Sequence, residues 1–147
     1  MGIDTGDVRR LINETLRPLG LWSSDAEELL VLTAATESNM GENLYQIGGG
    51  PALGIFQMEP STESDIWGNY IRFNSDLYQR FKNVARGLSG NLVYQIMMAR
   101  VYYLRDAKPI PSKDHMMDQA RYYKRVWNTY LGKATAEVAY AKYMRFK

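Results

Sequence analysis

Apolar positions along this chain recur mainly at helical spacing. Val8, Leu11, Ile12 and Leu19 predict a first helix that stops near Pro18-Leu19-Gly20. Ser24-Asp25-Ala26-Glu27 reads as a capping box, with the side chains of positions one and four satisfying each other's backbone N–H groups, and it predicts a second helix running to about Ser38. Leu77, Phe81, Val84 and Leu88 fall on one face of a helix expected over 75–88. After Gly90 the same spacing returns in Leu92, Ile96, Ala99 and Tyr103, until Pro109 and Pro111 break it. Met116, Ala120, Tyr123 and Trp127 predict a further helix from Ser112 that Gly132 stops, and Thr135 is placed to cap a last one.

After the second helix the pattern fails. Gly and Pro punctuation from Gly41 to Pro51 leaves a long loop with room for at most a short hairpin. The expectation is a mainly α, single-domain protein over residues 1–147, interrupted by one long glycine-rich loop. Loops of that length inside compact domains are usually functional or disordered.

Composition narrows the chemistry. At 147 residues and 46% hydrophobic, the chain is the size of one domain with its own core. It has no cysteine, and His115 is the single histidine, so cysteine zinc sites, disulfide frameworks, Cys/His pairs and a Ser-His-Asp triad are excluded or handicapped. Neither a metal nor a cofactor is expected. The first residues, MGIDTGDVRRLINETL, contain acids and no apolar core segment, so no secretory signal is read there, and Gly6 stands where the myristoylation pattern wants Ser or Thr. No apolar run approaches a membrane span. A soluble protein without membrane insertion is expected.

Charge is uneven along the chain. Residues 1–73 hold 4 Lys/Arg and 11 Asp/Glu, whereas residues 74–147 hold 14 and 5. A basic half can serve nucleic acid, or it can be the solvated face of ordinary helices. There is no basic run, and the second reading is preferred.

Glu37 lies at the end of the second predicted helix. At about 100° per residue it shares a face with Ala26, Leu30 and Thr33, while Glu28 points roughly the other way. An inward carboxyl at a helix C-terminus should have a raised pKa, which suits a general acid working near neutral pH. The same placement is open to a structural reading, in which the side chain pairs with an arginine. The loop does not hold phosphate: Gly49 to Gly54 fits G-x-x-x-x-G, but Ile55 stands where the P-loop lysine belongs. Glycines there can instead allow close approach of backbone to a ligand, or form a strained turn anchored by Ile55 and Phe56.

Glu37-Ser38, a gap, and Gly54-Ile55-Phe56-Gln57-Met58-Glu59-Pro60-Ser61-Thr62 resemble the E-S … G-L-M-Q-I-x-P-x-T signature of the soluble lytic transglycosylase and goose-type lysozyme superfamily. With DIWGNY the stretch is most similar to small phage-encoded members. The resemblance covers residues 36–70. It implies a lysozyme-like helical fold and cleavage of the β-1,4 bond between N-acetylmuramic acid and N-acetylglucosamine in peptidoglycan. By the same resemblance Glu37 is the acid/base, and Ser38, Gln46, Gly54, Gln57, Glu59, Tyr122, Tyr123 and Asn128 are the expected sugar-binding residues. Two features depart from the family pattern: Glu59 stands at a usually apolar position, and the later A-Y-N-A-G block is replaced by Ala120-Arg121-Tyr122-Tyr123 and Trp127-Asn128, whose aromatics also fit a core face.

The partner implied is the glycan strand of bacterial peptidoglycan, with virion proteins as further candidates and a location in a phage virion or host cytoplasm. Glycoside hydrolases commonly pair two carboxylates, whereas transglycosylases of this superfamily use one. Glu42, Glu59 and Asp65 are the candidates for a second. Pro60 predicts extended backbone at Glu59, which would then face the cleft alongside Gln57. A one-acid lyase is the preferred expectation and a muramidase the alternative. A noncatalytic virion or wall-binding protein would lack the acid, and a nucleic-acid-binding domain would leave the loop unexplained.

Overall fold

Asp4, Ser23, Asn74, Asn91 and Thr135 each accept a backbone N–H from a following first turn, and these caps set where five of the helices begin. A computed structural model describes residues 2–147. It contains seven α-helices in one all-helical domain: α1 Thr5–Leu16, α2 Ser24–Ser38, α3 Pro60–Asn69, α4 Ser75–Phe81, α5 Leu92–Leu104, α6 Met116–Tyr123 and α7 Ala136–Phe146. A short 3-10 turn spans Ile71–Phe73, and a π-helical turn, Lys124–Asn128, prolongs α6. No strand forms among the described residues. The loop contains only two isolated bridges, Tyr45 to Leu53 and Leu53 to Met58, so the hairpin allowed for in the sequence is not built.

Two helices are buried all round. α2 buries every residue from Leu29 to Thr36, and α5 buries Tyr94 to Ala99, Val101 and Tyr103. Such helices have no polar stripe to offer water and must sit inside. α1 packs Val8, Ile12 and Leu16 against α2, and α6 and α7 add Ala120, Tyr123, Ala139 and Tyr143 to the same core. A second apolar cluster joins Ile66 of α3, Leu77 and Phe81 of α4, and the other side of α5 through Tyr94, Met97 and Met98. Central placement of α2 also corrects the expected direction of Glu28. Its carboxylate is not turned to solvent but is held by Arg9 of α1 and the hydroxyl of Tyr143 on α7.

Three expected boundaries move. The α2 cap is Ser23, whose Oγ accepts the Ala26 N–H at 3.0 Å; the box beginning at Ser24 does not form, and Glu27 instead accepts the indole N–H of Trp22 at 2.9 Å. The helix expected over 75–88 stops at Phe81, because Leu88 is drawn beneath the glycine loop with its carbonyl against Gly54. α5 stops at Leu104, ahead of Pro109. α3 has no counterpart in the sequence reading: with Ile66 as its one buried residue, it has no apolar stripe to recognise, although Pro60 at its first position and Glu63 in its first turn are ordinary start signals.

The loop is fastened at many points. Met40 N–H bonds back to Ala34 O, and Asn39, Met40 and Gly41 all have positive φ, which turns the chain sharply off the end of α2. Gly54 N–H donates to Leu44 O at 2.7 Å, Ile55 N–H donates to buried Gln95 Oε1 at 2.7 Å, and Ile55 and Phe56 are sunk in the core. Gly54 has φ +82°, and a Cβ there would lie 1.8 Å from Leu88 O and 2.3 Å from Gln95 Oε1. Both conformation and space therefore demand glycine. Gly54→Ala should lower unfolding stability by at least about 3 kcal/mol in urea titration, since strain and overpacking add; a loss under about 1 kcal/mol would show that the loop is not held as described.

Candidate active site

Glu37 is the penultimate residue of α2, where the helix dipole presents its negative end. The side chain is largely buried. Burial pushes its carboxyl above the ordinary value, while a hydrogen bond from Tyr123 and the positive charge of Lys142 pull it down; the net direction is up. The Tyr123 hydroxyl donates to Glu37 Oε2. Burial, reinforced by the adjacent carboxylate, raises Tyr123's own pKa far beyond the neutral range, so this tyrosine stays protonated and stays a donor.

A cleft of about 240 Å³ opens over this carboxyl. Its walls carry the amides of Asn39, Asn43, Gln46 and Gln57, with Ala52 and Ile47 as apolar surface and Lys142 at the side. Gln57 has φ +54° and donates its amide hydrogens toward the carbonyls of Gly54 (2.9 Å), Leu44 (3.2 Å) and Asn43 (3.3 Å). Its amide oxygen makes no hydrogen bond among the described residues. Gln46 Oε1 accepts the Ala52 N–H at 3.0 Å, which leaves its NH₂ group available. Lys142 donates to Asn39 Oδ1 at 3.0 Å and lies 3.4 Å from Thr36 O, so a cation covers the last turn of α2. Neutral donors and acceptors around one poorly solvated acid suit a hydroxyl- and amide-bearing ligand.

The sequence-derived residues separate into three groups. Glu37, Gln46 and Gln57 line the cleft; Gly54 is not among the lining residues but packs against Leu88 and Gln95 and accepts a hydrogen bond from Gln57. Ser38 and Tyr123 are next to the acid but buried. Ser38 is 1% exposed, bonds to Ile55 O at 2.6 Å and Ala34 O at 3.1 Å, and accepts the Gly41 N–H at 2.8 Å. Its side chain ties the helix end to the loop, and the sugar-contact role expected for it does not fit this burial. Tyr123, 0% exposed, likewise serves Glu37 rather than a ligand.

Glu59, Tyr122 and Asn128 are elsewhere. Glu59 is extended, as Pro60 requires, but the left-handed turn at Gln57 breaks the alternation on which its expected direction rested; it is exposed and outside the cleft wall. Tyr122 donates to Lys108 O at 3.0 Å, stacks on Tyr103 and lines a different cavity. Asn128 Oδ1 accepts from Lys124 at 2.7 Å, and its side chain also hydrogen-bonds Tyr123, two steps removed from the cleft. Asp65, once a candidate second acid, is exposed and held by Arg105 and Asn69, which keep its carboxyl below the ordinary value. Among the described residues no group of three His, Cys, Asp or Glu side chains is placed to hold a metal.

Asn39, Asn43, Ile47 and Lys142 line the site without having been singled out in the sequence. The asparagine after the helix was a signal of a left-handed cap. Lys142, more than a hundred residues away, had none. A larger groove of about 500 Å³ adjoins the loop through Leu53 and is lined by Glu63, which accepts a hydrogen bond from buried Tyr94. Glu63 is in the first turn of α3, whereas Glu37 is at the C-terminal end of its helix.

The raised pKa has a consequence for stability. Below the ordinary carboxyl range Glu37 is protonated in folded and unfolded chains alike. As pH rises from that range through the higher folded value, the unfolded chain ionises first and folding loses stability. Glu37→Gln removes this loss. Its Tm should exceed that of the unaltered protein at pH 7, and the difference should shrink to nothing below about pH 4; an unchanged or lowered Tm at pH 7 would contradict the burial argument.

No protein-family model, no curated protein and no solved structure matches this chain.

Proposed function

We propose that the protein is a peptidoglycan-cleaving enzyme of lytic transglycosylase type, with Glu37 as its single catalytic acid and base. The observation that carries this reading is the cleft itself: one carboxyl of raised pKa, hydrogen-bonded by a buried tyrosine, and no other carboxylate among the residues that line the wall. A two-carboxylate hydrolase needs its second acid about 5 to 9.5 Å from the first. The three residues read from sequence as candidates for that place, Glu42, Glu59 and Asp65, are exposed and are not among those that line the wall.

In the proposed reaction the protonated Glu37 delivers its proton to the glycosidic oxygen as the bond to the N-acetylmuramic acid anomeric carbon breaks. The carboxylate left behind then takes a proton from a hydroxyl of the same sugar, which closes on the anomeric carbon in place of water. The products are a shortened strand and an anhydro sugar end, and Glu37 is returned protonated. Burial favours the first half by holding the proton to higher pH than an ordinary carboxyl would, and Tyr123 favours the second by stabilising the anion as it forms. The amides of Gln46, Gln57, Asn39 and Asn43 supply hydrogen bonds for hydroxyl and N-acetyl groups, while the fastened loop keeps them in place.

The basic half of the chain gives little support to a nucleic-acid role. Arg80, Arg105, Arg121 and Arg125 are each paired with an aspartate, which offsets part of its positive charge. No helix among the described residues is long and apolar enough to cross a membrane. Action on the bacterial wall, in a phage virion or during lysis, follows from the sequence resemblance and belongs to the same proposal.

Glu37→Gln should cut wall cleavage by about 10² to 10⁴-fold while keeping the fold, because the amide fits the niche and carries no acidic proton; retention of more than about a tenth of the activity would remove Glu37 from the reaction. Mass spectrometry of digested peptidoglycan should find anhydro ends, one water lighter than reducing ends, and reducing ends would favour a muramidase. Glu59→Gln should change the rate less than about threefold. Tyr123→Phe removes a bond that lowers the acid's pKa, so the alkaline limb of the pH–rate profile should move to higher pH; a shift to lower pH would contradict the arrangement.

A further inference from the structure

Arg100 differs from the paired arginines of the second half. It lies on α5, half-buried, and its Nε donates to Leu21 O at 2.8 Å. No carboxylate among the described residues forms an ion pair with it, and its terminal nitrogens make no hydrogen bond to the protein among those residues. Burial lowers its pKa with no acid to restore it. The guanidinium is partly exposed, and its terminal nitrogens are a ready fork for a carboxylate.

A cavity of about 350 Å³ opens over Arg100. Asp25, at the start of α2, lines the same cavity. One of its oxygens accepts the Lys113 N–H at 2.9 Å, and no lysine or arginine among the described residues pairs with it. Asp106 is also in the wall but is already occupied by two hydrogen bonds from Arg125, at 3.0 and 2.9 Å. Lys108, another lining residue, is solvent-exposed. The cavity thus holds one half-buried cation and one carboxylate oxygen that the protein does not pair with each other. Tyr103, Tyr122 and Ile110 also line it.

We propose that this cavity binds the zwitterionic group of an α-amino acid, its carboxylate on the terminal nitrogens of Arg100, its ammonium on Asp25, and its aliphatic side chain against Tyr103, Tyr122 and Ile110. A simple anion would satisfy Arg100 but meet the charge of Asp25, and a simple cation would do the reverse. A neutral sugar would leave both unpaired. The site is separate from the cleft: Asp25 and Glu37 are twelve residues apart on one helix, about 18 Å along its axis. The zwitterion is carried either by a free amino acid or by the amino-acid end of a larger molecule, such as a peptide stem on the glycan; the second source alone rests on the enzymatic reading given above.

The test is a two-dimensional NMR titration of the full chain, which needs no catalytic activity. The probes are alanine, lysine, acetate, methylammonium and a short peptide bearing a diamino acid with a free carboxylate and ammonium on its side-chain end. Alanine and lysine should bind saturably at about millimolar Kd, moving signals of Arg100, Asp25 and Tyr122. Acetate and methylammonium should each bind at least about tenfold more weakly. Asp25→Asn keeps an oxygen for the Lys113 N–H and should retain the fold while weakening amino-acid binding about tenfold or more, as should Arg100→Gln where thermal unfolding shows it folded. Tighter binding of the peptide than of free lysine supports the attached source, and equal or weaker binding supports the free one. Acetate binding as tightly as alanine, undiminished binding to Asp25→Asn, or no saturable binding of alanine or lysine up to about 100 mM would each overturn the proposal.

Discussion

A carboxyl at the C-terminal end of a helix faces the negative pole of the dipole, and Glu37 meets that condition inside the protein rather than in water. Everything around it bears on that one unfavourable placement. α2 is buried on all sides, so the helix cannot tilt its last turn toward solvent. The Tyr123 hydroxyl and the Lys142 ammonium give back part of what desolvation takes away. The three left-handed residues after the helix turn the chain so that the loop closes over the acid instead of leaving it exposed.

The same economy explains the loop. An irregular segment over an acid could be mobile, but this one spends its polar groups on itself: Gln57 on three carbonyls, Ser38 on Ile55 and Gly41, and Gln95 on Ile55. Ile55 and Phe56 then anchor it in the core. What remains for a ligand is the second atom of each side-chain amide, Oε1 of Gln57 and Nε2 of Gln46, held by bonds made through the first. Such groups need little reordering when a ligand arrives, and preorganisation of this kind is what transition-state stabilisation requires.

Much of this was legible in the sequence, and unevenly. α1, α2 and α5 were read from apolar residues recurring at helical spacing, although α5 ends at Leu104, ahead of Pro109. α3 escaped notice for the opposite reason, since Ile66 alone enters the core. Glu37 was read as a candidate acid from its inward place at a helix end, whereas Gln46 and Gln57 were named as site residues by the family resemblance. The roles of Ser38 and Tyr123 were not legible: whether a polar side chain touches ligand or props up the residue that does depends on what packs over it, from residues as distant as Ile55 and Glu37. Glu59 was misdirected by a rule that holds for extended chain and fails at the positive φ of Gln57.

The central claim is that Glu37 keeps its proton to higher pH than an ordinary glutamate. It is tested most directly by following the side-chain carboxyl carbons by ¹³C NMR as pH is varied, with Glu37→Gln identifying the signal. One carboxyl resonance, absent in that variant, should titrate above the ordinary value of 4.5 and should move higher still in Tyr123→Phe. Titration of that resonance at or below the ordinary value would contradict the account.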